Sequence, residues 1–197
     1  MYKTTFSFTY NEAVAFMREV FKSPSFDQYT VHKFVYNLFP IEKNAKFMFA
    51  TKMTDDGIVI CIYSDIRPVV DGMDNVNYSV KQVNVDELFK EGNTYIYQIQ
   101  INCVKRKDGH NVLVRDYEFG EWFEKRMNAN GMNLESVNNL TYGRINVPTK
   151  TNSKGVPFHV ASCMGRFTIT DFAKFKDCLL NGIGREKAFG MGMLMVC

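Results

Sequence analysis

Apolar residues recur along this chain with two periods, one typical of strands and one typical of helices. Alternating or short continuous apolar runs predict strands, and apolar residues three and four positions apart predict helices. The predicted strands are Tyr2–Thr9, Lys46–Lys52, Gly57–Ser64, Tyr78–Val85, Asn93–Lys105, Leu140–Val147, Phe158–Ile169 and Met191–Val196. The predicted helices are Asn11–Lys22, Ser25–Phe39, Asp86–Glu91, Asp116–Asn130 and Asp171–Leu180.

The order of these elements predicts the fold class. The second half reads strand, helix, strand, strand, helix, strand, and the first half is compatible with the same order. We therefore predict an α+β protein of two tandem ferredoxin-like (RRM-like) βαββαβ units, with helices packed on one face of each antiparallel sheet. The predicted units are residues 1–90, which carry the helix Ser25–Phe39, and residues 91–197, which carry a basic hairpin loop and a glycine-rich loop.

Turn and cap residues set the predicted boundaries. Ser25 with Gln28 has the form of a capping box, and Thr170 is the predicted cap of the last helix. The basic stretch Lys105–Gly109 is predicted as a turn, and Pro148–Pro157 as a basic and polar loop between two strands. The last predicted strand, Met191–Val196, is apolar at nearly every position, which is typical of a strand buried on both faces.

Composition restricts the class of protein. The chain has 197 residues, of which 46% are hydrophobic, enough for a substantial core. No apolar run of about 18 residues and no secretory signal is present, so we expect a cytoplasmic protein without a membrane partner. The five cysteines are odd in number and form no C-x-x-C pair, which argues against a disulfide framework or a zinc site. A net charge of +3 is compatible with nucleic-acid binding but too small to require it.

The helix predicted before Pro40 has two different faces. Its core-facing stripe consists of Val31, Phe34, Val35 and Leu38. About 140° around the axis, Tyr29, His32 and Tyr36 share the opposite face. An imidazole changes protonation near neutral pH, so His32 is either a proton-transfer residue or an ordinary structural histidine.

The stretch Asn181–Val196 (NGIGREKAFGMGMLMV) concentrates glycine and positive charge. Gly182, Gly184, Gly190 and Gly192 allow close approach of a ligand to the main chain, and Arg185 and Lys187 add charge suited to phosphate. The alternative is structural, with Asn181 and Gly182 capping the preceding helix and the other glycines forming a tight turn.

Two motifs resemble one family. NGIGREKAFGMGMLMV is similar to the glycine-rich carboxyl-terminal motif of the repeat-RNA-processing endoribonucleases of CRISPR systems, most closely their CasE branch in type I-E complexes. YTVHKFVYNLFP (Tyr29–Pro40) is similar to the early helix of that family, where a histidine precedes an L-F-P ending and a tyrosine lies one turn before it.

The resemblance implies an activity and its partners. Family members bind the stem-loop of the CRISPR repeat and cleave precursor crRNA at the base of the stem without a metal ion or cofactor. The neighbouring 2′-hydroxyl is the nucleophile, and the products carry a 2′,3′-cyclic phosphate and a 5′-hydroxyl. The protein then retains the crRNA hairpin as a subunit of a Cascade complex. The sequence has no clustered set of acidic residues of the kind that two metal ions need.

The resemblance also implies site residues. His32 matches the catalytic histidine and Tyr29 its partner tyrosine. We interpret His110, in a hydrophilic turn, and His159, in a strand, as structural residues, with His159 as the fallback if His32 proves inert. The implied RNA-binding residues are Arg144, Lys150, Lys154, Gly182, Gly184, Arg185, Lys187, Gly190 and Gly192. Two alternatives stay open: a protein of this fold that holds the hairpin without cutting it, and an enzyme whose glycine loop binds the phosphate of a small nucleotide.

Overall fold

The helices and strands follow one another as the periodicity predicts, with additions in the second half. The structure, a computed structural model, describes residues 1–22, 26–73, 75–149 and 152–196. Its strands are β1 (Tyr2–Phe8), β2 (Phe47–Thr54), β3 (Gly57–Ser64), β4 (Asn77–Gln82), β5 (Thr94–Asn102), β6 (Val104–Lys107), β7 (His110–Leu113), β8 (Met132–Thr149), β9 (Asn152–Ile169) and β10 (Met195–Val196). Its helices are α1 (Tyr10–Phe21), α2 (Gln28–Asn37), α3 (Val85–Leu88), α4 (Asp116–Ala129) and α5 (Phe172–Asn181), with short 3-10 helices at Ile41–Lys43 and Lys187–Phe189.

The chain divides into two units. Unit 1 consists of Met1–Asn84 and Ala188–Gly190, and unit 2 of Val85–Lys187 and Met191–Cys197. The division we predicted lies after residue 90. The structure instead puts α3 and the residues after it with unit 2, where the Phe89 ring lies 5.2 Å from that of Phe175.

Unit 1 contains a four-stranded antiparallel sheet in the order β2-β3-β1-β4. This is the strand order of a ferredoxin-like unit, so the predicted fold class is confirmed. Both helices precede β2, however, and the described part of the connection from β3 to β4 (65–73 and 75–76) contains no helix. The apolar side chains of that connection, Ile66, Val70, Met73 and Val76, pack against the core in its place.

Phe34 of α2 lies at the centre of the unit 1 core. It is 1% exposed, and its ring makes edge contacts with those of Phe6 (4.9 Å), Phe16 (5.4 Å) and Phe8 (6.4 Å). These contacts join α2 to β1 and to α1. The position of α2 is therefore fixed by aromatic packing on the side opposite His32.

Unit 2 contains a second four-stranded antiparallel sheet, in the order β10-β5-β9-β8. Its core includes Tyr97, Phe123, Phe167 and Phe175, all fully buried. The hydroxyl of Tyr97 donates a hydrogen bond to the Ser136 carbonyl (3.1 Å), and burial raises the pKa of this phenol far above its ordinary value.

The prediction of a strand over Met191–Val196 is wrong for most of its length. Only Met195 and Val196 pair with β5, whereas Met191, Met193 and Leu194 are buried in an irregular segment. Gly192 explains the difference, because its φ of +79° is a left-handed conformation that interrupts an extended strand. A Cβ at Gly192 would also lie 2.0 Å from the Ile183 carbonyl oxygen.

The prediction of a loop over Pro148–Pro157 is also wrong. β8 and β9 are each 18 residues long and extend through most of it, pairing as far as Thr149 with Asn152. Proline and glycine suggested a loop, but β8 is an edge strand with a register shift between Val147 and Thr149, which is where a sheet accommodates proline.

A small hairpin, β6–β7, replaces the predicted basic turn at Lys105–Gly109. The strand predicted over Asn93–Lys105 ends at Asn102, and β6 pairs with β7 in a separate two-stranded sheet. Cys103 makes the break: its amide donates to the His159 carbonyl (2.7 Å) and its carbonyl accepts from the Val114 amide (2.9 Å).

Two helix caps differ from the prediction, since aspartate takes both positions. The Asp27 carboxylate accepts from the Thr30 amide (2.9 Å), and that of Asp171 from the Lys174 amide (3.0 Å). Ser25, the predicted cap of α2, lies outside the described residues. Thr170 precedes the cap of α5 by one residue.

Three of the cysteines, Cys103, Cys163 and Cys178, are buried core residues. Burial raises the pKa of the Cys103 and Cys178 thiols to about 12 and that of Cys163 to about 11. These three thiols are therefore protonated and unreactive at neutral pH. In the described part of the chain, no helix is long and apolar enough to cross a membrane.

Candidate functional site

Helix α2 presents the histidine face that the sequence predicts. Val31, Phe34 and Val35 are buried in the core, while Tyr29 and His32 are half-buried on the other side and Tyr36 is 43% exposed. The helix begins at Gln28 and ends at Asn37, so Tyr29 lies in its first turn and His32 in its middle.

The imidazole of His32 is oriented by a main-chain carbonyl. Nδ1 lies 2.8 Å from the Ala188 oxygen, and both residues belong to unit 1. A carbonyl can only accept, so Nδ1 must be the donor and carry a hydrogen. In the neutral ring Nε2 therefore bears the lone pair, and no hydrogen-bonding partner for it lies among the described residues. In this tautomer Nε2 can accept a proton, and the protonated ring can return it.

Aromatic rings surround His32. The ring of Tyr36 lies 4.2 Å from that of His32, the ring of Phe189 5.4 Å and the ring of Tyr29 6.2 Å, nearly parallel. The ammonium group of Lys33 lies 4.4 Å from the Tyr29 ring centroid. Burial raises the pKa of Tyr36, so its phenol is neutral near neutral pH and available as a hydrogen-bond donor.

The glycine-rich stretch contributes three residues to unit 1. Gly190 is buried with φ of +78°, and a Cβ there would lie 2.9 Å from Cε2 of Phe49, a core residue. This close approach fixes the main chain two residues after Ala188. The carbonyl that orients His32 is thereby held by the packing of the core.

Two of the other glycines use their amides within unit 2. The amide of Gly182 donates to the Cys178 carbonyl (2.7 Å), and that of Gly192 to the Gln100 carbonyl (2.7 Å). These two amides are not the bare N–H groups that the sequence suggested for phosphate. Gly184, half-buried beside Ile101, has φ of +85° and leads into Arg185.

The basic residues predicted to bind RNA lie in unit 2. Arg185 is exposed, and its Nη1 donates to Oδ1 of Asn111 on β7 (2.9 Å). Arg144 is exposed on β8, and Lys187 is half-exposed at the start of a 3-10 helix. Lys150 lies outside the described residues, as does the side chain of Lys154.

The remaining two histidines lie in unit 2. His110 is exposed and opens β7, while His159 is half-buried on β9, opposite Arg144 in the strand register. Among the residues that the structure describes, no three His, Cys, Asp or Glu side chains converge as a metal site.

Sequence reasoning missed two partners that complete these sites. The acceptor for His32 is the main-chain oxygen of an alanine, which no sequence pattern reveals. Asn111, which holds Arg185, lies in the hairpin β6–β7, whose second strand was not predicted. Its only sequence signal is the Asp108-Gly109 turn between two short runs.

The fold defines a tandem ferredoxin-like protein with a histidine helix in its first unit. The model of the CRISPR-associated protein family matches residues 11–197. This chain belongs to that family. A search of curated proteins gave no match.

Solved structures share the fold over the whole chain. Cse3 of Thermus thermophilus bound to an RNA representing a pre-cleavage complex is 16% identical with a TM-score of 0.81, covering 100% of this chain and 98% of that one. Cas6e of Escherichia coli K-12 is 21% identical with a TM-score of 0.71, covering 100% and 99%. A chain of a CRISPR RNA-guided surveillance complex is 19% identical with a TM-score of 0.69, covering 100% and 99%. The resemblance drawn from the two motifs is confirmed for family and fold.

Proposed function

We propose that this protein is a metal-independent endoribonuclease of CRISPR RNA processing. It binds the stem-loop of the CRISPR repeat and cleaves precursor crRNA at the base of the stem. It then retains the crRNA hairpin as a subunit of a Cascade-type complex in the cytoplasm. The observation that carries the proposal is the His32 ring, held through Nδ1 by the Ala188 carbonyl with Nε2 left for proton transfer.

Cleavage by a 2′-hydroxyl needs two proton transfers. One group removes the proton of the 2′-hydroxyl as its oxygen attacks the adjacent phosphorus, and another protonates the departing 5′-oxygen. The 2′-oxygen forms a bond to phosphorus as the bond to the 5′-oxygen breaks, giving a 2′,3′-cyclic phosphate and a 5′-hydroxyl. His32 Nε2 supplies one of these transfers, and Tyr29, one helical turn away, positions the 2′-hydroxyl or the phosphate.

Positive charge lowers the energy of the phosphorane formed during attack. Arg144, Lys150, Lys154, Arg185 and Lys187 are the proposed RNA-binding residues. Among the described ones, the exposed Arg185 is oriented by its hydrogen bond to Asn111. The amides of Gly182 and Gly192 are excluded from this role by their bonds to protein carbonyls.

The comparisons support the partners. Cse3 of the same fold is bound to an RNA representing a pre-cleavage complex, and another chain of this fold belongs to a CRISPR RNA-guided surveillance complex. The match covers nearly the full length of each of these chains. An RNA hairpin and the other subunits of such a complex are the partners we propose here.

The test is cleavage of the labelled repeat RNA in excess EDTA under single-turnover conditions. Loss of one acid–base residue costs about 10²- to 10⁴-fold, so His32→Ala should cut that much more slowly while still binding the RNA. His110→Ala, which removes an exposed histidine of unit 2, is the matched control and should cut at the parent rate. Cleavage that requires added metal, or His32→Ala cutting as fast as the control, would overturn the proposal. Tight binding without cleavage by the parent would favour a hairpin-binding protein.

A further inference from the structure

A cleft in unit 1 begins at the ring that touches His32. It has a volume of about 620 Å³, and Tyr36 forms one side of it. The Tyr36 ring lies 4.2 Å from the His32 ring, so the cleft opens one side chain away from the proposed proton-transfer group. Neither the proposed proton transfers nor the proposed phosphate contacts use this cleft.

The walls of the cleft are aromatic. Tyr36 and Phe47 make an edge contact at 4.9 Å with ring planes 79° apart, and Phe47 stacks on Phe39 at 4.4 Å. Phe39 is 6% exposed, so this stack is anchored in the core, whereas Tyr36 is 43% exposed. The cleft thus offers two differently oriented aromatic rings on a rigid support. Planar rings bind to such surfaces by stacking.

The rim of the cleft is polar and carries no basic residue among those that line it. Asn37, Glu42 and Asn44 line it and are exposed. A carboxylate accepts hydrogen bonds and an amide both donates and accepts, a combination that matches the edge of a nucleobase. The lining itself therefore holds no cation to bind a phosphate, which favours a base over the backbone as occupant.

We propose that this cleft binds the unpaired nucleobase of a nucleotide flanking the scissile phosphate. The inference rests on the proposed function, because it takes the occupant from the RNA that His32 would cleave. The base stacks on Tyr36 or Phe47, and Glu42 accepts from an exocyclic amino group. Seating this base positions the adjacent ribose and phosphate against His32 Nε2.

The test measures binding of uncleavable repeat RNAs, in which the nucleophilic 2′-hydroxyl is replaced by hydrogen. One RNA is intact, and two others are abasic at the nucleotide on either side of the scissile phosphate. With the parent protein, one abasic RNA should bind about tenfold more weakly than the intact RNA, the effect of losing one base–aromatic stack. With either Phe47→Leu or Tyr36→Leu, whichever removes the ring that carries the base, the difference between intact and abasic RNA should shrink to less than about threefold.

A surface variant covers the case in which these ring substitutions disturb folding. Glu42→Gln should reduce the preference for a cytosine over a uracil at that nucleotide by about fivefold. Glu19→Gln, the same change at an exposed position of α1, is the control and should keep the parent preference.

The outcomes separate the two proposals. Equal binding of all three RNAs by a parent protein that cleaves normal RNA overturns the base site and leaves the nuclease intact. An abasic penalty that persists undiminished in Phe47→Leu and Tyr36→Leu also overturns the base site, as does an unchanged base preference in Glu42→Gln. An abasic penalty that disappears in the variants, in a parent that never cleaves, supports the base site and overturns the nuclease.

Discussion

The hydrogen-bond partner of His32 is a main-chain oxygen, which no side-chain substitution removes. The His32 Nδ1 donates to the main-chain oxygen of Ala188, so substitutions at position 188 change the methyl group but leave the acceptor in place. The arrangement fixes which nitrogen of the neutral ring carries the hydrogen. Tyr36 lies on the same helix face as His32. Its ring centroid is 4.2 Å from that of the imidazole, so it limits rotation of the imidazole.

Arg185 provides a prediction for RNA binding at the residue scale. Each phosphate contact adds about 0.7 to 0.9 to the slope of the logarithm of the binding constant against the logarithm of salt concentration. We expect Arg185→Ala to reduce that slope by one such step, and Asn111→Ala to reduce it less, because it only frees the guanidinium.

The measurement is a salt titration of repeat-RNA binding. Lys125→Ala is the control, since it removes one positive charge from a surface ion pair of α4 with Glu121. The same slope change in the control and in Arg185→Ala would show that only net charge matters.

For single residues, the sequence predicted which face of a helix a side chain occupies but not which group it hydrogen-bonds. The shared face of Tyr29, His32 and Tyr36 follows from helical spacing, and the catalytic roles proposed for the first two rest on family resemblance. The acceptor for His32 lies 156 residues away, and no local pattern records a contact at that separation. The engaged amide of Gly192 was unpredictable for the same reason, because its acceptor is the distant Gln100. The amide of Gly182 instead bonds to Cys178 four residues earlier, as the alternative of a helix cap predicted.

Helix α2 packs one face into the core of unit 1 and carries the candidate site on the other face. Its buried stripe is fixed by Phe34, and its amino end by Asp27, whose carboxylate accepts from both the amide and the hydroxyl of Thr30 (2.9 and 3.1 Å). Thr30 is only 3% exposed, so this cap sits at the margin of the core.

Removing that cap should destabilise unit 1. We expect Asp27→Ala to lower the free energy of unfolding by about 1 kcal/mol, because it leaves the Thr30 amide and hydroxyl without their acceptor. Asp27→Asn keeps an acceptor oxygen and should stay close to the parent. Urea unfolding followed by far-UV circular dichroism measures both. Equal loss in the two variants would point to the charge of Asp27 rather than to capping.

Two carboxylates at the amino ends of other helices predict how the stability of the protein depends on pH. The pKa of Glu12 lies below its ordinary value of 4.5, mainly because its carboxylate accepts from the Thr9 amide. The pKa of Asp171 lies below 3.8, mainly because of the Lys174 ammonium and then the Lys174 amide. A carboxylate with a depressed pKa in the folded state stabilises the protein above its unfolded pKa. That stabilisation is lost as pH falls from the ordinary value through the depressed one.

The midpoint of urea unfolding should therefore fall as pH drops below about 4.5. The double variant Glu12→Gln with Asp171→Asn retains both caps but cannot titrate there, so its midpoint should fall less steeply. An identical pH dependence in parent and variant would contradict the assignment.

The long hairpin β8–β9 and the short hairpin β6–β7 were the elements least visible in the sequence. Pro148, Gly155 and Pro157 suggested a loop, because local residue preference does not include the pairing with a partner strand. The register shift at Val147/Thr149 supplies the irregularity that proline requires. Edge position and bulges are properties of the sheet, so the chain read alone could not reveal them.

Each of the two units contains residues from the last part of the described chain. Residues Ala188–Gly190 belong to unit 1, whereas Met191 onward returns to unit 2 and adds β10 to its sheet. Alternation predicted a single strand over Met191–Val196. The observed path is different because glycine at 190 and 192 permits left-handed turns on both sides of Met191.

This path makes Met193 a determinant of unit 2 stability. It is 1% exposed, and truncation of a buried methionine to alanine costs about 2 to 5 kcal/mol. Met193→Ala should show that loss, while Met53→Ala, at a side chain 69% exposed, should lose less than about 0.5 kcal/mol. Trp122, the only tryptophan of the chain, lies in unit 2 and reports its unfolding by fluorescence. Comparable losses in the two variants would show that the segment after Gly192 does not contribute to the core.

The position of Ala188 in the chain has a consequence for timing. His32 is made early in synthesis, and the oxygen that orients its ring is made 156 residues later. Domains generally fold as units during synthesis, beginning with the amino-terminal one. A nascent chain can therefore assemble the first sheet while its imidazole still turns without an acceptor. The ribosome must add Ala188 before the ring of His32, the proposed proton-transfer group, is oriented, so an incomplete chain that already carries His32 does not yet hold it as the finished protein does.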